Sequence, residues 1–236
     1  PLFFGALTLA GACGTIIAFA LPHDLRPSVV PHRAHIASNG GVRPPLRPAP
    51  RMPLQRSLPL LASPLLLACG YSVVMNFGQT LSEETLAGYG DGILFACLSI
   101  GGLAGSLVAG WATDRFGAKR SVACTIASTA AGLLLMGLAQ QAEVVLAGAF
   151  LCGAGYFGAT ATLVAAAGLA AGDGANALLA RQQSALDAGM ISGGLLAGGM
   201  LQGGLPVSAA FLATACAAGA ALFAWGMMYP HQKGNR

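Results

Sequence analysis

The charges of this chain come in short islands, and between them run long stretches of about the length needed to cross a bilayer. Seven such stretches occupy roughly 1–21, 58–80, 89–112, 121–140, 143–170, 180–202 and 206–229. Charged residues make up 8% of the 236 positions against 55% hydrophobic ones, and mean hydropathy is +0.68. A soluble domain needs about a quarter charged residues to keep its surface wet, so most of this surface must face something other than water. A segment inside lipid has to satisfy its backbone hydrogen bonds internally. Each stretch is therefore expected as a helix, and the fold class as an all-α polytopic membrane protein with seven transmembrane helices.

The placement of Lys and Arg sets the expected orientation. They fall at 26, 33, 43, 47, 51 and 56, then at Arg115, Lys119 and Arg120, then at Arg181, then at Lys233 and Arg236. If the seven spans alternate, all of these lie on one side, while the opposite connections hold Glu83, Glu84 and Glu143. The positive-inside rule puts the basic side, and with it the C-terminus, in the cytoplasm; the expected location is a bacterial inner membrane. The net charge of +4 is accounted for by topology, and nucleic acid is not expected as a partner. The segment before Ala18-Phe19-Ala20 could be read as a signal peptide. No basic region precedes it, however, and cleavage there would leave the Arg-rich loop outside. Because the chain starts at Pro1 inside an apolar stretch, a piece of a longer protein is expected. Residues 22–57, with six Arg and eight Pro, are expected as an extended cytoplasmic linker lying near anionic lipid, and 230–236 as a cytoplasmic tail.

One string between two spans carries the most information: Gly110-Trp111-Ala112-Thr113-Asp114-Arg115-Phe116-Gly117-Ala118-Lys119-Arg120. It reads as a tight charged turn at a membrane surface, with Gly117 permitting the reversal and Lys119 and Arg120 anchoring the next helix at the headgroups. The string resembles the signature loop of the major facilitator superfamily, G-x-x-x-D-R-x-G-x-[KR]-[KR], matching it at Gly110, Asp114, Arg115, Gly117, Lys119 and Arg120. In that family the loop joins helices two and three and recurs between helices eight and nine. Two spans separate the Arg/Pro-rich linker from the string and four follow it. The resemblance therefore implies that 1–21 is a sixth-helix equivalent and that 58–229 is the six-helix C-terminal half. It further implies that Asp114 braces the cytoplasmic ends of the two halves in the outward-open state.

Polar residues within the spans are the candidates for a solute or proton pathway, because burying them in lipid is costly. Gln183 and Asp187 share a helical face with Gly194 and Gly198, which is expected to turn toward protein or a cavity. Asp187 would then bind a cation or titrate during coupling, or else pair with Arg181 near a helix end. Ser72, Asn76 and Gln79 form a second polar face, lining the pathway or hydrogen-bonding between helices. Tyr156, with Gly153 and Thr160, either faces the pathway or packs. Asp91 reads as interfacial. The pairs Gly101/Gly105 and Gly189/Gly193 read as helix contacts.

The residue inventory also excludes functions. The six Cys are isolated within apolar stretches, so neither a zinc site nor a redox pair is supported. All four His lie outside the spans, no span contains a Lys for a Schiff base, and no P-loop is present. No enzyme activity, metal or cofactor is expected. The expected function is secondary transport of a small solute, as proton-coupled export of a drug-like compound or metabolite. The pathway would be completed by an N-terminal half or a second subunit. A channel or uniporter, and a scaffold working through the linker, stand as alternatives.

Overall fold

The computed structural model describes residues 54–86, 89, 92–171 and 174–228. The expected span at 1–21, most of the linker, Asp91 and the C-terminal tail lie outside the described residues. The described chain forms six helices: α1 (Leu54–Thr85), α2 (Ile93–Phe116), α3 (Ala118–Leu138), α4 (Ala142–Ala171), α5 (Ala175–Gln202) and α6 (Val207–Met228). Each is long and apolar enough to cross a membrane, and among the described residues there is no strand.

Several helices extend past the apolar stretches from which they were read, whereas α6 stays within its expected bounds. α1 begins at Leu54, inside the segment assigned to the linker, and continues five residues past the expected end at 80. α5 starts at Ala175 rather than 180. Hydropathy marks only the part of a helix that sits in hydrocarbon, whereas hydrogen bonding continues through polar end turns such as Ser82-Glu83-Glu84. The string at 110–120 departs most from expectation. α2 remains helical to Phe116 and α3 starts at Ala118, so the reversal is confined to Gly117.

Helix pairing gives two layers. A front layer runs in the order α2, α4, α1, α5, while α3 and α6 pack side by side behind it, α3 on α4 and α6 on α1. The five closest pairings map onto one another when α1 is exchanged with α4, α2 with α5 and α3 with α6. The two three-helix units therefore repeat each other, and since their first members run in opposite directions the repeat is inverted.

Glycine makes the closest approaches possible. A Cβ on Gly101 or Gly105 of α2 would fall 2.1 Å from the carbonyl oxygens of Phe150 and Ala154 on α4. In the second unit, a Cβ on Gly189 or Gly193 of α5 would fall 2.2 and 2.1 Å from those of Leu65 and Cys69 on α1. Both i, i+4 pairs are thus packing devices, as expected, and they occupy equivalent places in the repeat. Lipid offers helices no hydrophobic reason to associate, so backbone proximity of this kind takes over.

The buried core lies in two levels. One gathers Val73, Leu94, Met136, Val145 and Phe211 toward the acidic end; the other gathers Leu60, Ile126, Leu163 and Trp225 toward the basic end. Tyr71 packs against both. The ends are tied by side chains. At the basic end, Trp225 Nε1 donates to the Lys119 carbonyl at 3.0 Å. At the acidic end, the Tyr89 hydroxyl meets Glu143 Oε1 at 3.2 Å. The charge of Glu143, and then this hydrogen bond, raises the Tyr89 phenol above its ordinary range.

Candidate functional site

Two regions hold the residues singled out by sequence: the one-residue turn at the basic end, and the middle of the front layer.

Gly117 adopts φ 83° and ψ 153°, a conformation essentially closed to residues with a Cβ. Its N–H still bonds the Thr113 carbonyl at 3.0 Å, and its own carbonyl accepts from Ser121 N–H at 3.2 Å. The end of α2 and the start of α3 are thereby linked through one residue. Gly117→Ala is expected to cost about 1–3 kcal/mol, read as a lower thermal denaturation midpoint, and an unchanged midpoint would show that the turn has another geometry. Asp114, Arg115 and Arg120 are exposed, and Lys119 is half-buried. The Arg115 guanidinium lies 5.9 Å from the centre of the Trp111 ring, which meets Phe116 edge-on at 5.6 Å. Gly110 is exposed, and a Cβ there would touch nothing within 4 Å. No contact within the described residues explains why a glycine is needed at that place.

The mid-depth residues divide sharply. Ser72 is fully buried, and its hydroxyl donates to the Met190 carbonyl of α5 at 2.6 Å, so it joins helices instead of facing a pathway. Asn76 is exposed, with Nδ2 donating to the Ser72 carbonyl at 2.8 Å and to Ser72 Oγ at 3.1 Å. Gln79, also exposed, lies about 9 Å from the acidic end of α1 rather than at mid-depth, and donates to Glu83 Oε1 at 3.2 Å. Tyr156 is only 9% exposed and stacks flat on Tyr71, with ring centres 3.9 Å apart and planes 2° from parallel. Phe157, which is 38% exposed, sets its edge against both rings at 5.7 and 5.4 Å. Sequence reasoning chose Tyr156 and passed over Tyr71 and Phe157, because aromatic residues in apolar helices carry no polar signal.

Asp187 is exposed and accepts a hydrogen bond from Gln183 Nε2 at 3.2 Å. It is not at a helix end. It stands twelve residues into the 28-residue α5, about 18 Å along the axis. Arg181 lies about 9 Å nearer the basic end and roughly 240° around the helix from it. The glycines expected beside it need correction: the close contact with α1 is made by Gly189 and Gly193, whereas Gly198 meets nothing within 4 Å and Gly194 makes only ordinary contacts.

One buried polar residue on α5 escaped notice. Gln182 is 4% exposed, and its Nε2 donates to the Leu60 carbonyl of α1 at 3.1 Å and reaches the Leu163 carbonyl of α4 at 3.5 Å. Pro64, within α1, has no N–H for the carbonyl four residues earlier, and that carbonyl is Leu60. Gln182 supplies the missing donor from another helix. Gln182→Leu is expected to lower stability by about 0.6–1.7 kcal/mol. A denaturation midpoint equal to that of the native protein would show that the carbonyl needs no partner.

Between α2 and α4, an open notch of about 250 Å³ is lined by Ser99, Gly102, Leu103, Ser106 and Phe157. The front layer thus presents, at one depth, this notch, an aromatic cluster and a carboxylate. Among the described residues no group of His, Cys, Asp or Glu could hold a metal ion.

The family model of the Major Facilitator Superfamily matches residues 60–236. The chain belongs to that superfamily. No curated protein and no solved structure matched it significantly. As a major facilitator chain it is an integral membrane protein of a transporter family, and its inverted three-helix repeat is the arrangement found within each half of such transporters. α1 and α4 stand at the centre of the front layer, where substrate sites form at the interface between repeats.

Proposed function

We propose that these helices form the C-terminal half of a secondary transporter that exports a drug-like compound or metabolite by proton-coupled alternating access. The basic end would lie in the cytoplasm of a bacterial cell, and the pathway would be closed by an N-terminal half or a second subunit. The observation that carries this reading is the depth and exposure of Asp187. An ionisable group at the middle of a membrane helix is costly against lipid and belongs on a cavity or opposite other protein. The opposite surface is supplied by no described residue, which supports a partner half across the front layer. Gly110 and Asp114, four residues apart on one exposed face of α2, suit the same partner, with Asp114 bracing the two halves at the basic end.

The test is flux across a panel of solutes in proteoliposomes, using the full-length protein with and without a pH gradient, and Asp114→Asn beside the native form. Gradient-driven movement of a solute that Asp114→Asn abolishes is expected. Movement indifferent to the gradient would identify a facilitator. A well-folded protein that moves nothing would overturn the transport reading.

A further inference from the structure

We propose that the basic end of α1, residues 54–63, is a hinged segment that turns about Pro64 and is latched by Gln182 of α5. The hinge belongs to the helix itself. That it varies the opening of the pathway at the basic end rests on the transport reading.

The break comes first. α1 carries two prolines, Pro59 and Pro64. Each lacks the N–H that a helix directs to the carbonyl four residues earlier, so the ladder loses its bonds to Gln55 and Leu60. Sharp bends in helices gather at such places. The packing of α1 on α5 changes at the same point. The interlocked contacts, Gly189 on the Leu65 carbonyl and Gly193 on that of Cys69, start one residue beyond Pro64, and the Ser72–Met190 hydrogen bond follows them. Before Pro64, α5 reaches α1 through Gln182, whose Nε2 donates to the Leu60 carbonyl at 3.1 Å. A helix interrupted at Pro64, fixed by backbone contact beyond it and by a side-chain hydrogen bond before it, has its hinge there. Burial of Leu60 in the basic-end core makes the latched form the resting one.

Ser63 shows what takes the place of the latch. It is fully buried, and its hydroxyl has no hydrogen-bond partner, a costly condition for a buried polar group. Elsewhere in this chain serine hydroxyls donate to the carbonyl three residues earlier, as Ser106 does to Leu103 and Ser192 to Gly189. For Ser63 that carbonyl belongs to Leu60, the one held by Gln182. Gln182 in turn already reaches the Leu163 carbonyl of α4 at 3.5 Å. A small turn of 54–63 therefore exchanges one donor for another: Ser63 takes the Leu60 carbonyl, and Gln182 passes to Leu163. Latched and released forms then hold similar numbers of hydrogen bonds, which is what keeps two conformations close in energy. Because α1 stands at the centre of the front layer, release alters that surface at the basic end and leaves its mid-depth part in place.

Amide hydrogen exchange of the full-length protein in detergent tests the hinge, comparing peptides that cover 58–68 and 72–80 of α1. In the native protein the first peptide should exchange at least about tenfold faster than the second, as local opening allows. Gln182→Leu should raise that ratio by roughly a further tenfold, the scale of one lost hydrogen bond. Ser63→Ala removes the replacement donor and should lower it. Pro64→Ala restores the missing N–H, so the ratio should fall close to unity, and adding Gln182→Leu should then leave it unchanged. General loss of stability speeds both peptides together, and fraying of a helix end survives Pro64→Ala, so neither imitates this pattern. Equal exchange of the two peptides in the native protein would overturn the proposal. So would a Gln182→Leu effect that is equally large with and without Pro64. If Pro64→Ala does not fold, the native ratio and the direction of the Ser63→Ala change decide. The expected exchange pattern in a protein that moves no solute would keep the hinge and sink the transport reading.

Discussion

Gly193→Val is expected to disrupt the association of α1 with α5 and to lower the stability of the protein markedly. A Cβ at that position falls 2.1 Å from the Cys69 carbonyl oxygen and 2.8 Å from its carbonyl carbon and Cα. These are backbone atoms, so no rotamer change makes room and the helices must separate. Separation also stretches the Ser72–Met190 hydrogen bond, which joins the same pair. Overpacking of this kind costs about 1–3 kcal/mol, roughly 2–12 °C in denaturation midpoint at 2–4 °C per kcal/mol for a domain near this size. Gly219→Val on α6 is the matched control, since a Cβ there meets nothing within 4 Å. Thermal denaturation of the two variants in the same detergent is the measurement. Equal losses would mean that the close approach of α1 and α5 is not a source of stability.

The second large effect is expected at Asp187. Asp187→Asn keeps the size of the side chain and its hydrogen-bonding with Gln183 while removing the charge. In reconstituted full-length protein, accumulation of solute driven by a pH gradient should fall to background, and Asp187→Glu should recover part of it. Gln183→Leu separates charge from orientation. It removes the 3.2 Å hydrogen bond to the carboxylate and leaves the acid in place, so a smaller loss is expected, with about 1.5–3 kcal/mol as the ceiling for a hydrogen bond to a charged group. Gradient-driven accumulation undiminished in Asp187→Asn would remove this residue from the coupling step.

Class and family were legible in the sequence because each rests on a property of the chain itself. Hydrophobic length reports the bilayer, and the six matched positions of the signature string report a turn that only certain residues can make. Gly117 shows this best: the reversal expected of it is there, in a backbone conformation that demands glycine. Which face of a helix points where was less legible. A rotation of about 100° separates Gln182 from Gln183, and that rotation decides which of them is a buried clasp and which supports an exposed carboxylate. Gln183 is exposed beside Asp187, and the clasp made by Gln182 went unread, although Pro64 upstream signalled a carbonyl in need of a donor. Ser72 and Asn76 share a helix face by spacing, yet one is wholly buried and the other exposed. Tyr71 gave no signal at all, since its importance lies in a ring from another helix stacked upon it.

The glycine contacts also bear on where this half can yield. They bind α2 to α4 and α5 to α1 through their backbones, while α3 leans on the first pair and α6 on the second. Each trio behaves as a plate. On the front surface the plates meet along the seam of α1 with α4, where contact is far sparser than within either plate, and across that seam lie Tyr71 and Tyr156, face to face. Behind the seam the trios stay joined through α3 and α6, so any flexure between them would open or close the front surface along this line. The stacked tyrosines bridge that line, so a change in the angle between the trios would alter the 3.9 Å gap between the two rings.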